Sequence, residues 1–175
     1  MSGAKNSGGA ARVAVLMGSD SDLPVMKLAV EGLKGFGIAC EARVLSAHRS
    51  PEAAAKFARA AAARGIRVII CGAGAAAHLA GAVAAQTALP VIGVPLVAGH
   101  LGGLDALLAT VQMPPGVPVA TVAVGEPGAR NAAVLAAEIL ALSDPELAAR
   151  LEQHKADLAS GVAAKDRKVN KELTG

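Results

Sequence analysis

Aromatic side chains are nearly missing from this chain: its 175 residues hold two phenylalanines and neither tyrosine nor tryptophan. Lysine and arginine are scattered instead of gathered on one face, and there are no rings on which bases could stack, so nucleic acid is not an expected partner. Cysteine is scarce too. Cys40 and Cys71 lack CxxC or metal-ligand spacing, which makes both expected buried free thiols, at home in a reducing cytosol. No apolar run reaches the ~18 residues that a membrane span needs, so no membrane association is expected. No glycine-rich loop ends in Gly-Lys-Ser/Thr, which excludes a P-loop, and no metal site or cofactor is expected. The formal charge of +3 suits a small anionic ligand but identifies none.

What is abundant is small and apolar. Hydrophobic residues make up 53% of the chain, mostly Ala, Val, Leu and Ile, enough for one core in a single domain whose elements approach closely. Residues 1–11 are polar and rich in Gly, Ser and Ala without an apolar stretch, and are expected to be a disordered leader. The domain is expected over 12–163, with a charged tail over 164–175.

Within the domain, short apolar runs alternate with helical periodicity. Strands are expected over 12–17, 40–46, 68–72, 91–94 and 119–124. Helices are expected over 23–36, 51–64, 78–86, 104–111, 129–142 and 145–163. Gly37 and Gly65 stop the first two helices, Pro51 opens the second, and Asp144 caps the last, which carries a stripe of Leu147, Leu151 and Leu158. Five strands separated by helices indicate an α/β fold, a three-layer doubly wound parallel sheet with an additional C-terminal helix. Such sheets bind ligands beyond the carboxyl ends of their strands.

The polar residues with chemical potential cluster at those ends. After the first strand, Gly18-Ser19-Asp20-Ser21-Asp22 places hydroxyls and free N–H groups at a helix start, either as an anion site or as ordinary capping. After the second, Ser46-Ala47-His48-Arg49-Ser50-Pro51 joins a titratable imidazole to a guanidinium fork matched to phosphate oxygens. After the third, Gly72-Ala73-Gly74-Ala75-Ala76-Ala77-His78 fails the dinucleotide pattern, because Ala77 stands where a glycine is needed. Its small residues suit backbone lying against a ligand, with His78 either structural or part of the site. After the fourth, Gly99-His100-Leu101-Gly102-Gly103 reads as a mobile lid, and His100 receives no role.

Taken together, Met17-Gly18-Ser19-Asp20-Ser21-Asp22, Ser46-Ala47-His48-Arg49, Gly72-Ala73-Gly74 with Ala77-His78-Leu79, and Val111-Gln112-Met113-Pro114 resemble the PurE family of purine biosynthesis over residues 12–142. The resemblance implies a flavodoxin-like, cofactor-free, cytosolic homo-octamer that acts on a small ribonucleotide. It would convert N5-carboxyaminoimidazole ribonucleotide into 4-carboxy-5-aminoimidazole ribonucleotide. It also implies that His48 is the general acid/base and that Ser19, Asp22 and Arg49 bind substrate. In this scheme Arg49 holds phosphate with Ser21 and Ser46, Asp22 accepts ribose hydroxyls, and the segment from Gly72, Ala73 and Gly74 to His78 lies against the imidazole and carboxylate. The chain departs from the family pattern at Ala75 and Ala120, where glycine is usual, at Ala80, where proline is, and at Ala98 and Ala109, where serine is. Two other readings stay open. A carboxylase of aminoimidazole ribonucleotide would take CO2 from solution, although the Val-Gln-Met-Pro segment and Asn131 resemble the mutase branch. A non-catalytic nucleotide-binding module would use the same scaffold.

Overall fold

Val13, Val15 and Met17 face one side of their strand and Ala14 and Leu16 the other, yet all five are buried. Only a strand covered on both faces permits this, and the covering layers are helices. A computed structural model describes residues 11–174, so the expected leader lies outside the described residues except for Ala11. Strands β1 (Val13–Met17), β2 (Cys40–Val44), β3 (Val68–Gly74), β4 (Val91–Leu96) and β5 (Ala120–Thr121) form one sheet. Every pairing is parallel and the order is β2-β1-β3-β4-β5, the flavodoxin-like arrangement.

The helices are α1 (Leu23–Gly35), α2 (Pro51–Ala61), α3 (Leu79–Ala84), α4 (Leu104–Val111), α5 (Glu126–Ala141) and α6 (Pro145–Thr174). One core joins α1, α5 and the start of α6 to Val13, Val15, Val68, Ile70 and Ile92. The other joins α2 and α3 to Ala14, Leu16, Ile69 and Cys71. Helices α1 and α5 meet through small residues: a Cβ on Gly32 would lie 2.7 Å from the Ala133 Cβ, closer than atoms can pack. Gly37 and Gly65, expected to stop helices, adopt φ of +73° and +90°, the left-handed geometry of a C-cap. Among the described residues no helix is long and apolar enough to cross a membrane.

Five expectations are corrected. Strand β5 spans two residues instead of six, because only Ile92 and Gly93 of β4 pair with it before the chain turns into α5. Helix α5 begins at Glu126, three residues early, with Pro127 in the first turn, where a missing N–H costs nothing. Helix α6 continues past 163 to Thr174, so the charged segment is helical, with a Lys168–Glu172 pair one turn apart. Its stripe is only partly used: Leu147 and Leu151 are buried, whereas Leu158 is 59% exposed. Cys71 is buried as expected but Cys40 only half-buried; both thiols are free, and desolvation raises the pKa of each.

Helix α6 is tied to the body at its start. Asp144 accepts a hydrogen bond from the Leu147 N–H at 3.1 Å and pairs with Arg12 at 2.8 Å, and this pairing holds its carboxyl below the usual range. Further along, the His154 ring meets Phe36 edge-on, with centroids 5.3 Å apart.

Candidate active site

The strand register puts the carboxyl ends of three strands side by side, with Met17 opposite both Val44 and Gly72. The loops that follow are therefore neighbours, although long stretches of sequence separate them. Between β1 and β3 the strand order reverses direction, and the crevice opens there.

The first loop is a capped turn. The Ser19 N–H donates to Asp22 Oδ2 at 2.9 Å, and Ser19 Oγ accepts from the Ser21 N–H and lies 2.9 Å from Ser21 Oγ. Capping and an anion site are thus compatible, because the two hydroxyls adjoin each other on the crevice side. Burial raises the Asp22 pKa, outweighing the N–H groups of Ser19 and Gly18 that lower it; nearby Asp20 raises it further, and Arg49 lowers it.

The second loop is pinned by Ser46. Its Oγ accepts from the Arg49 N–H at 3.1 Å, its N–H donates to Ser50 Oγ at 3.1 Å, and its carbonyl accepts the Ser50 N–H at 3.0 Å. Arg49 then reaches across the crevice, with Nη2 donating to the Gly18 carbonyl at 3.1 Å and Nε donating to Ser46 Oγ at 3.5 Å. The guanidinium thus ties the first two loops together at the rim.

The third loop approaches from β3. Gly72 is inside the sheet, its carbonyl accepting the Gly18 N–H at 3.2 Å, and a Cβ there would run into Met26. Gly74 packs against Ala98, whose Cβ lies 2.6 Å from where a Gly74 Cβ would be. Ala75 has φ of +51°, the sole non-glycine residue among those described with positive φ, and its carbonyl accepts from the Ala77 N–H. His78 caps this loop, and its Nδ1 lies 2.8 Å from His48 Nε2.

Together these loops frame an open crevice of about 220 Å3. It brings together Ser19, Ser21, Asp22, Ser46, His48, Arg49, Ala73 and Gly74. Gly72 and His78 are not on its wall: Gly72 supports it from within the sheet, and His78 touches the site only through His48. His100 is exposed on the loop before α4 and does not line the cavity. The wall also includes Ala47, Ala76 and Leu79, which stand inside the sequence motifs without an assigned role, and Ala98, one of the departures from the family pattern. Alanines are frequent throughout the chain and carry no signal of their own. The lining thus mixes hydroxyls, a carboxylate, a guanidinium and the His48 imidazole with several methyl groups.

The model of the AIR carboxylase family matches residues 12–160. The chain belongs to that family. Among curated members, the N5-carboxyaminoimidazole ribonucleotide mutase of Mycobacterium tuberculosis is 57% identical over 160 residues, covering 91% of each chain. The enzyme of the same name from Pyrococcus abyssi is 55% identical over 150 residues, covering 86% of this chain and 85% of its own. Among solved structures, the crystal structure of Treponema denticola PurE superposes with a TM-score of 0.81 at 30% identity, covering 89% of this chain and 96% of that one. For an AIR carboxylase family chain, alanine at 75 is notable on physical grounds. A side chain occupies a backbone conformation that glycine adopts without strain, and it does so beside the cavity.

Proposed function

We propose that this chain converts N5-carboxyaminoimidazole ribonucleotide into 4-carboxy-5-aminoimidazole ribonucleotide, an isomerase step of purine biosynthesis. The observation that carries this reading is the shared cavity: His48, Arg49 and the hydroxyls of Ser19, Ser21 and Ser46 come from two loops and face one space. Arg49 holds the phosphate with Ser21 and Ser46, through its planar fork, and Ser19 binds substrate beside them. Asp22 accepts the ribose hydroxyls. Ala73 and Gly74 lie along the heterocycle, with Gly72 and His78 supporting that wall from behind.

The chemistry asks the protein for one proton and one enclosure. His48, protonated, donates its proton to the exocyclic nitrogen as the bond from that nitrogen to the carboxyl carbon breaks, leaving the aminoimidazole and CO2. The enamine-like C4 attacks the CO2 carbon, and the new carbon–carbon bond leaves a surplus proton on C4. Neutral His48 removes it, which restores aromaticity and returns the imidazolium of the start. No electrons are gained or lost, and neither ATP nor an electron carrier is called for. Confinement makes recombination effectively unimolecular, and the methyl groups of Ala47, Ala76 and Ala98 in the lining present CO2 with apolar surface once substrate fills the crevice.

A cytoplasmic homo-octamer completes the proposal. Val97, Leu101, Leu104, Leu108 and Val111, all about half exposed or more, lie on α4 and the loop before it, and Ala98 of that loop lines the cavity. A patch of this kind is covered by further copies of the chain.

The family description, AIR carboxylase, favours a second reading in which CO2 enters from solution. Supplying the N5-carbamate without bicarbonate separates the two. Direct formation of the C4 carboxylate, faster than release of free aminoimidazole ribonucleotide, supports the mutase. Product formed only from aminoimidazole ribonucleotide plus added bicarbonate supports the carboxylase.

A further inference from the structure

His48 and His78 are 30 positions apart in the chain, yet Nε2 of the first lies 2.8 Å from Nδ1 of the second. The rings meet edge-on, with centroids 4.9 Å apart and planes at 79°. At this separation the two nitrogens share one hydrogen, because one must donate and the other accept. Both backbones are pinned. The loop of His48 is held by Ser46, while the His78 N–H donates to the Ala76 carbonyl at 2.8 Å and its carbonyl accepts the Ala82 N–H at 2.9 Å. Contact between the rings is therefore built into the fold.

The direction of that hydrogen bond decides what His48 is able to do. If His78 donated, neutral His48 would carry its own hydrogen on Nδ1 and have no lone pair left to take a proton. If His48 donates from Nε2, its Nδ1 is a base when neutral and an acid when protonated, and the Nε2 bond persists in both states. Only the second arrangement serves both halves of a two-way proton transfer. It requires His78 to carry its hydrogen on Nε2 and to accept through Nδ1, much as an acceptor behind the base orients it in hydrolase triads.

We propose that His78 is a positioning residue: it accepts from His48 Nε2, fixes the tautomer of His48, and leaves Nδ1 as the atom that exchanges the proton with substrate. The kinetic part of this proposal rests on the mutase reading. The tautomer part stands on the contact alone.

Both parts are open to test on the full chain. With only four histidines, ring nitrogens are readily assigned by 15N NMR of labelled protein, each variant removing one set of signals. The expected result is a hydrogen on His48 Nε2, a bare Nδ1, and a 15N–15N coupling across the bond to His78. A hydrogen on Nδ1 of neutral His48 would overturn the proposal whatever the enzyme's substrate. In steady-state assays, His78→Leu is expected to lower kcat about 10-fold with KM changed less than about 2-fold, and His78→Asn, whose Oδ1 still accepts, to recover most of the loss. Equal losses in the two variants, a loss confined to KM, or no loss in His78→Leu would each remove the positioning role. If neither wild type nor variants turn the carbamate over, the mutase reading fails and the NMR result alone decides the tautomer assignment.

Discussion

Arg49 spends two of its donors on holding the crevice together, Nη2 on the Gly18 carbonyl and Nε on Ser46. A lysine in its place would keep the charge but lose the fork. Arg49→Lys is therefore expected to weaken substrate binding by about 1–3 kcal/mol, measured by calorimetric titration, with little change in folding. His48→Asn keeps polarity and approximate size but has no proton to exchange, so binding should persist while turnover falls about 100-fold or more in a coupled absorbance assay. Near-normal turnover in this variant would move the proton shuttle elsewhere. Asp22 shows the cost of placing a carboxylate in the site. Its pKa is raised by burial, so its ionised form is less favourable in the folded chain than in the unfolded one. That cost is absent at acid pH, below the ordinary carboxylate range, and is incurred as pH rises through it. Asp22→Asn should consequently melt higher than wild type at neutral pH, with the gap closing on acidification, and should bind substrate more weakly. A gap that widened on acidification would reverse the sign of this argument.

Helix packing explains how such loops are held steady. Helix α1 carries the loop of Ser19 and Asp22 at its N-terminus and rests on α5 through Gly32, where a Cβ would lie 2.7 Å from that of Ala133. Alanine is the better helix former by about 1 kcal/mol, but Ala133 sits on a helix backbone and has no rotamer to move. Overpacking costs about 1–3 kcal/mol, so the clash outweighs the propensity. Gly32→Ala is expected to destabilise the fold by about 1 kcal/mol net, read from urea unfolding, and to disturb the active-site turn at the far end of α1. A stabilised variant would mean that the helices separate freely.

The whole molecule consists of two separate cores on opposite faces of one sheet, with the functional loops crowded at a single edge. Beside that edge α4 leaves Leu104, Leu108 and Val111 about half exposed, and beyond the body α6 leaves Leu158, Val162, Val169 and Leu173 uncovered. Burial of such surfaces between copies is worth on the order of 25 cal/mol per Å2 before the costs of association. On the proposed octameric assembly, light scattering at micromolar concentration should report a mass near eight chains of 17.2 kDa, and Leu104→Asp combined with Leu108→Asp should lower it. A 17.2 kDa particle in wild type would refute the assembly.

Much of this was legible along the chain, because strands and helices announce themselves through local periodicity, and glycine stops such as Gly37 and Gly65 act on their own backbone. The motifs around Ser19, His48 and Gly74 were legible for the same reason: each is a short run at the end of one strand. The boundaries of β5 and α6 were not, since a strand is only as long as its neighbour pairs with it, and α6 runs on through Gly161 into a charged stretch that holds neither glycine nor proline before Thr174. Ala47, Ala76 and Ala98 stood in or beside the motifs, but nothing local said that their methyl groups line the same crevice. Nor does anything in the segments around His48 and His78 say that their rings touch. That contact depends on β2 and β3 flanking β1, so only the order of strands in the sheet brings the two nitrogens to 2.8 Å.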